Sequence, residues 1–141
     1  MSAFFRKLYP VSNELIIIGL LFPLTLLFLI ELLMSLNWRM AHDTPLLHYV
    51  AFLLDRHHYV LYRDVFETSM PGTFLFHLSI GKLFGYGDQA FRWVDLVWLG
   101  SLLAVTWNIM KQLGRRVAWA SIVLFGLSYL AYGTHMSLQR D

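Results

Sequence analysis

The stretch Leu15–Leu36, LIIIGLLFPLTLLFLIELLMSL, decides the fold class. Its 22 residues form a helix of roughly 33 Å at about 1.5 Å per residue, enough to cross a hydrocarbon core about 30 Å thick. A cleaved signal peptide fits less well. Its apolar region is usually about 7–15 residues long, and Ser35-Leu36-Asn37-Trp38 is a poor small-x-small cleavage site. The stretch therefore reads as a retained transmembrane helix. Pro23 is expected to kink it, and neighbouring helices can re-satisfy the freed carbonyl. A carboxylate facing lipid is costly, so Glu31 should face protein or water, either as the polar wall of a cavity or as an interfacial glutamate.

The pattern recurs twice. A second span covers 90–110, with Arg92 and Asp95 three residues apart at its entrance, where they can pair on one helix face. A third covers 117–136. Trp93, Trp98 and Trp107 lie towards the ends of the second span, and Trp119, Tyr129 and Tyr132 towards those of the third, where amphipathic rings favour the headgroup level. Composition agrees with this division. Of 141 residues, 57% are hydrophobic and 14% charged, against about 45–50% and about 25% in soluble domains. Disorder is excluded, and the length allows one domain. The absence of cysteine excludes a disulfide scaffold, a thiolate metal site and a cysteine nucleophile. A net charge of +2 is too mild to imply nucleic acid.

Orientation follows from the basic residues. Arg6 and Lys7 precede the first span, and Lys111, Arg115 and Arg116 lie in the loop after the second without an acid. Both segments belong on the cytoplasmic side. Residues 37–89 and the tail 135–141 then lie outside. The expected fold is an all-α membrane protein with three transmembrane helices (15–36, 90–110 and 117–136). Two short interfacial helices lie in its first external loop.

That loop carries most of the polar chemistry, and a loop of this length usually has elements or a function of its own. Thr44-Pro45 reads as an N-cap followed by a first-turn proline. Leu46–Leu54 is apolar but too short to span, and so reads as an interfacial helix ended by Arg56-His57-His58. A polar stretch, 62–69, leads to Pro71-Gly72 and a second short apolar helix, 73–84, closed by Gly85-Tyr-Gly-Asp88.

Candidates for chemistry are His42, Asp43, His48, Asp64, Glu67, His77, Arg140 and Asp141. Asp43 and Asp141 each follow the outer end of a hydrophobic helix, so packing those helices brings both carboxylates to one membrane surface. A carboxylate there can act as a base towards a hydroxyl or amine, and arginines can hold a phosphate by forked hydrogen bonds. A plain helix-capping role for Asp43 stands beside that reading. His42, Asp43 and His48 could take a divalent metal, although their spacing matches no strong motif. His57-His58 reads as a helix terminus, and the glycines form no phosphate loop.

The ordered pieces Asp43-Thr-Pro-Leu-Leu-His-Tyr49, Tyr62-Arg-Asp-Val-Phe-Glu67, Met70-Pro-Gly-Thr-Phe-Leu-Phe-His77, Leu83-Phe-Gly-Tyr-Gly-Asp88 and Ala90-Phe-Arg92 resemble the start of a GT-C membrane glycosyltransferase. The closest group is the bacterial relatives of protein O-mannosyltransferases and of the lipid A aminoarabinose transferase. The resemblance covers about residues 37–141. It implies transfer of a sugar from a polyprenyl-phosphate donor, with inversion, at the extracytoplasmic face of a bacterial inner membrane. It assigns Asp43 as base or acceptor-positioning residue and Asp141 as a second functional carboxylate, with Arg140 near the donor phosphate. His42, Tyr62, Arg63 and Asp64 are the expected substrate-binding residues, and no cofactor is expected beyond the divalent metal left open above. The mannosyltransferases carry an Asp-Glu pair where this chain has Asp43-Thr44. Family members have many more spans, so the chain is expected to be the N-terminal portion of one multi-span domain. Its partners would be the bilayer, the lipid-linked donor and the missing C-terminal helices, and alone it should be inactive. The competing expectation is a small non-catalytic membrane scaffold or assembly subunit. A channel or transporter piece has little support, because mid-membrane polar groups are scarce.

Overall fold

The computed structural model describes residues 3–66 and 69–133, with side chains from Ile17 onward. Every regular element among them is helical: α1 (Ala3–Met34), α2 (Thr44–Arg56), α3 (Pro71–Phe84), α4 (Asp88–Met110) and α5 (Arg115–Ala131). The fold is all-α. Two helical segments, Ile17–Asn37 and Asp88–Leu113, are long and apolar enough to cross a membrane. The described part of α5 has 17 residues, about 26 Å, a little short of a hydrocarbon core. The third expected span continues through residues 134–136, which lie outside the described residues.

α1 differs from expectation at its start, beginning at Ala3 rather than Leu15. Once a helix is nucleated, each added residue contributes a hydrogen bond, so the apolar segment can propagate backwards into its polar flank. The helix runs unbroken past Pro23 and ends in a 3-10 turn, Ser35–Asn37, where the Ser35 hydroxyl donates to the Leu32 carbonyl at 2.6 Å. The N-cap of α2 is also one residue earlier than expected. Asp43 holds that place, and Thr44 and Pro45 fill the first turn. Proline lacks only an N–H that has no partner there.

α5 packs against both α1 and α4, α2 against α3, and α3 against α4. Two contacts set the direction of α1 against α5. Trp119 Nε1 donates to Thr25 Oγ1 at 3.0 Å, and the Phe28 ring lies where a Cβ on Gly126 would be. The pairs advance together along both chains, so α1 and α5 are parallel. α4 is antiparallel to them, since its first turns meet Ser35 and Tyr129. A small core of Leu99, Tyr129 and Leu130, covered by Phe28, Leu32, Trp38 and Leu103, holds the three together.

Most of the described side chains of α1, from Ile17 onward, have no protein cover. Phe22 is 72% exposed, Leu33 65% and Ile18 56%. A helix apolar all round belongs inside a larger core or in lipid. Glu31 is half-buried rather than fully exposed on this helix.

Candidate functional site

The polar side chains gather where α1 ends, α4 begins and α5 finishes. Arg92 is 3% exposed and Asp95 0%, and they form the ion pair that their three-residue spacing suggested. The Arg92 guanidinium also donates to Ser35 Oγ and lies 4.7 Å from the Trp38 ring centroid. Tyr129 Oη donates to the other Asp95 oxygen, Oδ1, at 2.5 Å. One buried charge pair thus ties together the ends of three helices. Sequence spacing could reveal the pair itself. Ser35 and Tyr129, distant along the chain, carried no signal of joining it.

From this knot the chain leaves α1 through residues 38–43. The Met40 N–H donates to Asp88 Oδ1 at 3.1 Å, which fixes the loop to the first turn of α4. Asp43 follows on an exposed corner. Although it occupies the N-cap, its side chain makes no capping bond, and among the described residues its carboxylate has no hydrogen bond or ion pair. Asn, Asp, Ser and Thr caps usually spend an oxygen on a first-turn N–H, so this acid is left available. His42 beside it has a left-handed backbone, φ 54°. Histidine tolerates that conformation better than most side chains. Arg39, on the same loop, is exposed and likewise has no ion pair or hydrogen bond among the described residues. Sequence reading passed over it because a single arginine after a span is ordinary.

Tyr62, Arg63 and Asp64 form a self-contained turn. Asp64 Oδ2 accepts from the Val60 N–H at 2.8 Å, and Arg63 donates to both Asp64 oxygens at 2.9 and 3.0 Å. These bonds hold the Asp64 carboxyl below its ordinary range, Arg63 contributing most. Tyr62, with φ 66°, donates its hydroxyl to the Ser69 carbonyl at 2.6 Å. Both charged groups are therefore engaged with each other. Glu67, Arg140 and Asp141 lie outside the described residues, so the expected meeting of Asp43 with Asp141 lies there too.

A second buried polar group sits under α2 and α3. His48 (2% exposed) and His77 (4%) face each other with Nδ1 atoms 3.3 Å apart. Phe91 stacks on His77 at an interplanar angle of 5°, and Tyr86 and Phe52 close the other side. Burial pushes His77 down to about 4, and the neighbouring His48 adds to this. His48 is lowered chiefly by burial, with the Gly85 carbonyl and Asp88 opposing. Burial beside Asp55 pushes the Tyr86 phenol up to about 12. These groups are held neutral in an aromatic packet. Among the described residues no three His, Asp or Glu side chains converge on a common ion position, and His48 faces His77 rather than joining His42 and Asp43.

No protein family, curated protein or solved structure matches the chain. The functional reading rests on the residues themselves.

Proposed function

We propose that the chain forms the first membrane helices and donor-side loop of a GT-C-type glycosyltransferase, embedded with three spans in a bacterial inner membrane. α2 and α3 lie at its outer surface. The observation that carries this reading is the Asp43 carboxylate, uncommitted among the described residues, on a tethered loop that also carries the exposed Arg39. The order of the loop pieces from Asp43 to Arg92 supports it.

The chemistry follows from those groups. An acceptor hydroxyl attacks the anomeric carbon of a polyprenyl-phosphate sugar from the face opposite the phosphate. The new carbon–oxygen bond forms as the sugar–phosphate bond breaks. The hydroxyl proton passes to Asp43, and the phosphate leaves on the lipid. Arg39 and Arg140 would hold its oxygens through charge-assisted bonds. A positioned base typically contributes about 10²–10⁴-fold to the rate.

The test is transfer by membranes carrying the full-length gene product, supplied with a labelled polyprenyl-phosphate sugar. Asp43→Asn and Asp141→Asn should each lower transfer by about 10²-fold or more at unchanged membrane abundance. Wild-type rates in both variants would discard the reading, and no transfer above that of membranes lacking the gene would favour a non-catalytic membrane scaffold. The bare apolar faces of α1 suit that second reading equally, since they offer other helices a surface.

A further inference from the structure

Between the 3-10 turn that ends at Asn37 and the start of α2 at Thr44, the chain has no helix to fix it. Its course there is set from α4. The Trp38 ring centroid lies 4.7 Å from Arg92 Cζ, and the Met40 N–H donates to Asp88 Oδ1 at 3.1 Å. Asp88 and Arg92 are four residues apart, so they share one face of the helix. The first turns of α4 thus hold the loop at two points. Arg39 lies between those points, and Asp43 follows just beyond them. At the far side the Asp43 carbonyl accepts from the Leu47 N–H at 2.9 Å, which opens α2.

The two holds differ in what else they do. Arg92 is bonded to Asp95 and Ser35 and belongs to the buried knot of three helices. Asp88 instead reaches 48 residues back along the chain to the loop. An acid in the first turn also favours the positive end of its own helix, an effect that needs the charge and not the bond. An asparagine there would keep a carbonyl oxygen as acceptor and give up the charge. Substitution can therefore separate the two roles.

We propose that Asp88 is a positioning residue for the transfer reaction: by holding the Met40 N–H it keeps Asp43 and Arg39 in register with the donor and acceptor. It acts through the loop and carries no proton of the reaction. A misplacement of about 1 Å at reacting groups can cost about 10²-fold in rate, so a released loop would slow transfer with the base itself intact. The inference rests on the proposed function, since it gives Asp88 a part in that reaction.

The experiment has two readouts. The tether is read on the 141-residue chain in nanodiscs, where the absence of native cysteine lets Ala41→Cys carry a single nitroxide. Asp88→Ala should narrow its electron paramagnetic resonance lines, and Asp88→Asn should leave them broad. A nitroxide on Leu113→Cys, exposed at the far end of α4, should keep its spectrum in both. If Asp88→Ala disturbs both labels, Asp88→Ser takes its place, since serine starts helices well and its hydroxyl is one bond short of the Met40 N–H. The second readout is transfer by membranes carrying the full-length gene product. Asp88→Ala should lower it by about tenfold to a hundredfold at equal membrane abundance, and Asp88→Asn should restore most of it. Three results would each overturn the proposal: an unchanged spectrum at residue 41 in Asp88→Ala, a loosened loop with transfer intact, or an equal loss of transfer in Asp88→Asn. Each of these can occur with Asp43→Asn inactive, and the glycosyltransferase reading then stands. If wild-type membranes transfer nothing, that reading fails and the positioning role with it, while the spectra still report the tether.

Discussion

Nδ1 of His48 lies 3.3 Å from Nδ1 of His77, and the two rings belong to α2 and α3. Only one of the two nitrogens can carry the shared proton, so the contact requires that at least one ring be neutral. A proton added at the accepting Nδ1 would turn two N–H groups against each other and leave a buried cation in the contact. The α2–α3 pairing is thus built on a contact that acid breaks.

The sign of the pH effect follows. His77 is lowered from 6.5 to about 4 in the fold. Between those values the unfolded chain takes up a proton that the folded chain refuses, so stability falls as pH falls through this window. Above 6.5 both states are neutral at this position and the effect vanishes. The unfolding midpoint of the chain in detergent should therefore drop between pH 6.5 and 4. His77→Phe should flatten that slope, even though orphaning His48 Nδ1 costs about 1–3 kcal/mol at every pH. An equal slope in both proteins would show that carboxylates, not this pair, set the acid sensitivity.

The Arg92–Asp95 pair should behave as a buried pair that cannot lose one partner. Both side chains are almost fully covered, at 4% and 0% exposure. Asp95→Leu leaves the Arg92 charge uncompensated and the Tyr129 hydroxyl without its acceptor. That should destabilise the fold by about 3–5 kcal/mol. Adding Arg92→Met should recover most of the loss, since an apolar pair of similar volume avoids the desolvation cost. Unfolding in a mixed-micelle SDS titration measures both. A double variant as weak as the single one would assign the loss to Ser35 and Tyr129 contacts instead.

Glycines in α4 and α5 make opposite predictions. A Cβ on Gly126 would lie 2.4 Å from the Phe28 ring, whereas one on Gly100 meets nothing within 4 Å. Gly126→Ala forces α1 away from α5 or Phe28 from its rotamer, at about 1–3 kcal/mol. Gly100→Ala should be neutral or stabilising by up to about 1 kcal/mol, because alanine loses less backbone freedom. The same SDS titration ranks them. A Gly126→Ala protein as stable as wild type would mean that α1 is not seated on α5.

Periodicity and run length made much of this architecture legible. The limits of α4 fall within two residues of the expected second span, and α3 begins at the proline that marks it. Apolar runs of spanning and sub-spanning length differ enough that burial need not be known. What stayed hidden was long-range pairing. His48 and His77 are 29 residues apart and Arg92 and Ser35 57 apart. No local pattern links such positions, because their meeting depends on how α3 and α4 pack. The site was legible in residue type and less so in commitment. Asp43 and Asp64 look alike in sequence, yet one is bonded to Arg63 and Val60 and the other is uncommitted among the described residues.

The last prediction concerns sidedness, on which the position of Asp43 depends. The chain has no cysteine, so each introduced thiol reports alone. Phe66, before α3, is 89% exposed, and Leu113, between α4 and α5, is 72% exposed. Replacing either by cysteine removes little packing. With the Lys111–Arg116 loop cytoplasmic by the positive-inside rule, Phe66→Cys should react with a membrane-impermeant maleimide on spheroplasts of intact cells. Leu113→Cys should react only after permeabilisation. The reverse pattern would put Asp43 in the cytoplasm, away from any extracytoplasmic acceptor, and remove the base from the proposed reaction. Labelling of both in intact spheroplasts would mean that α4 does not cross the membrane, and the three-span arrangement would fall with it.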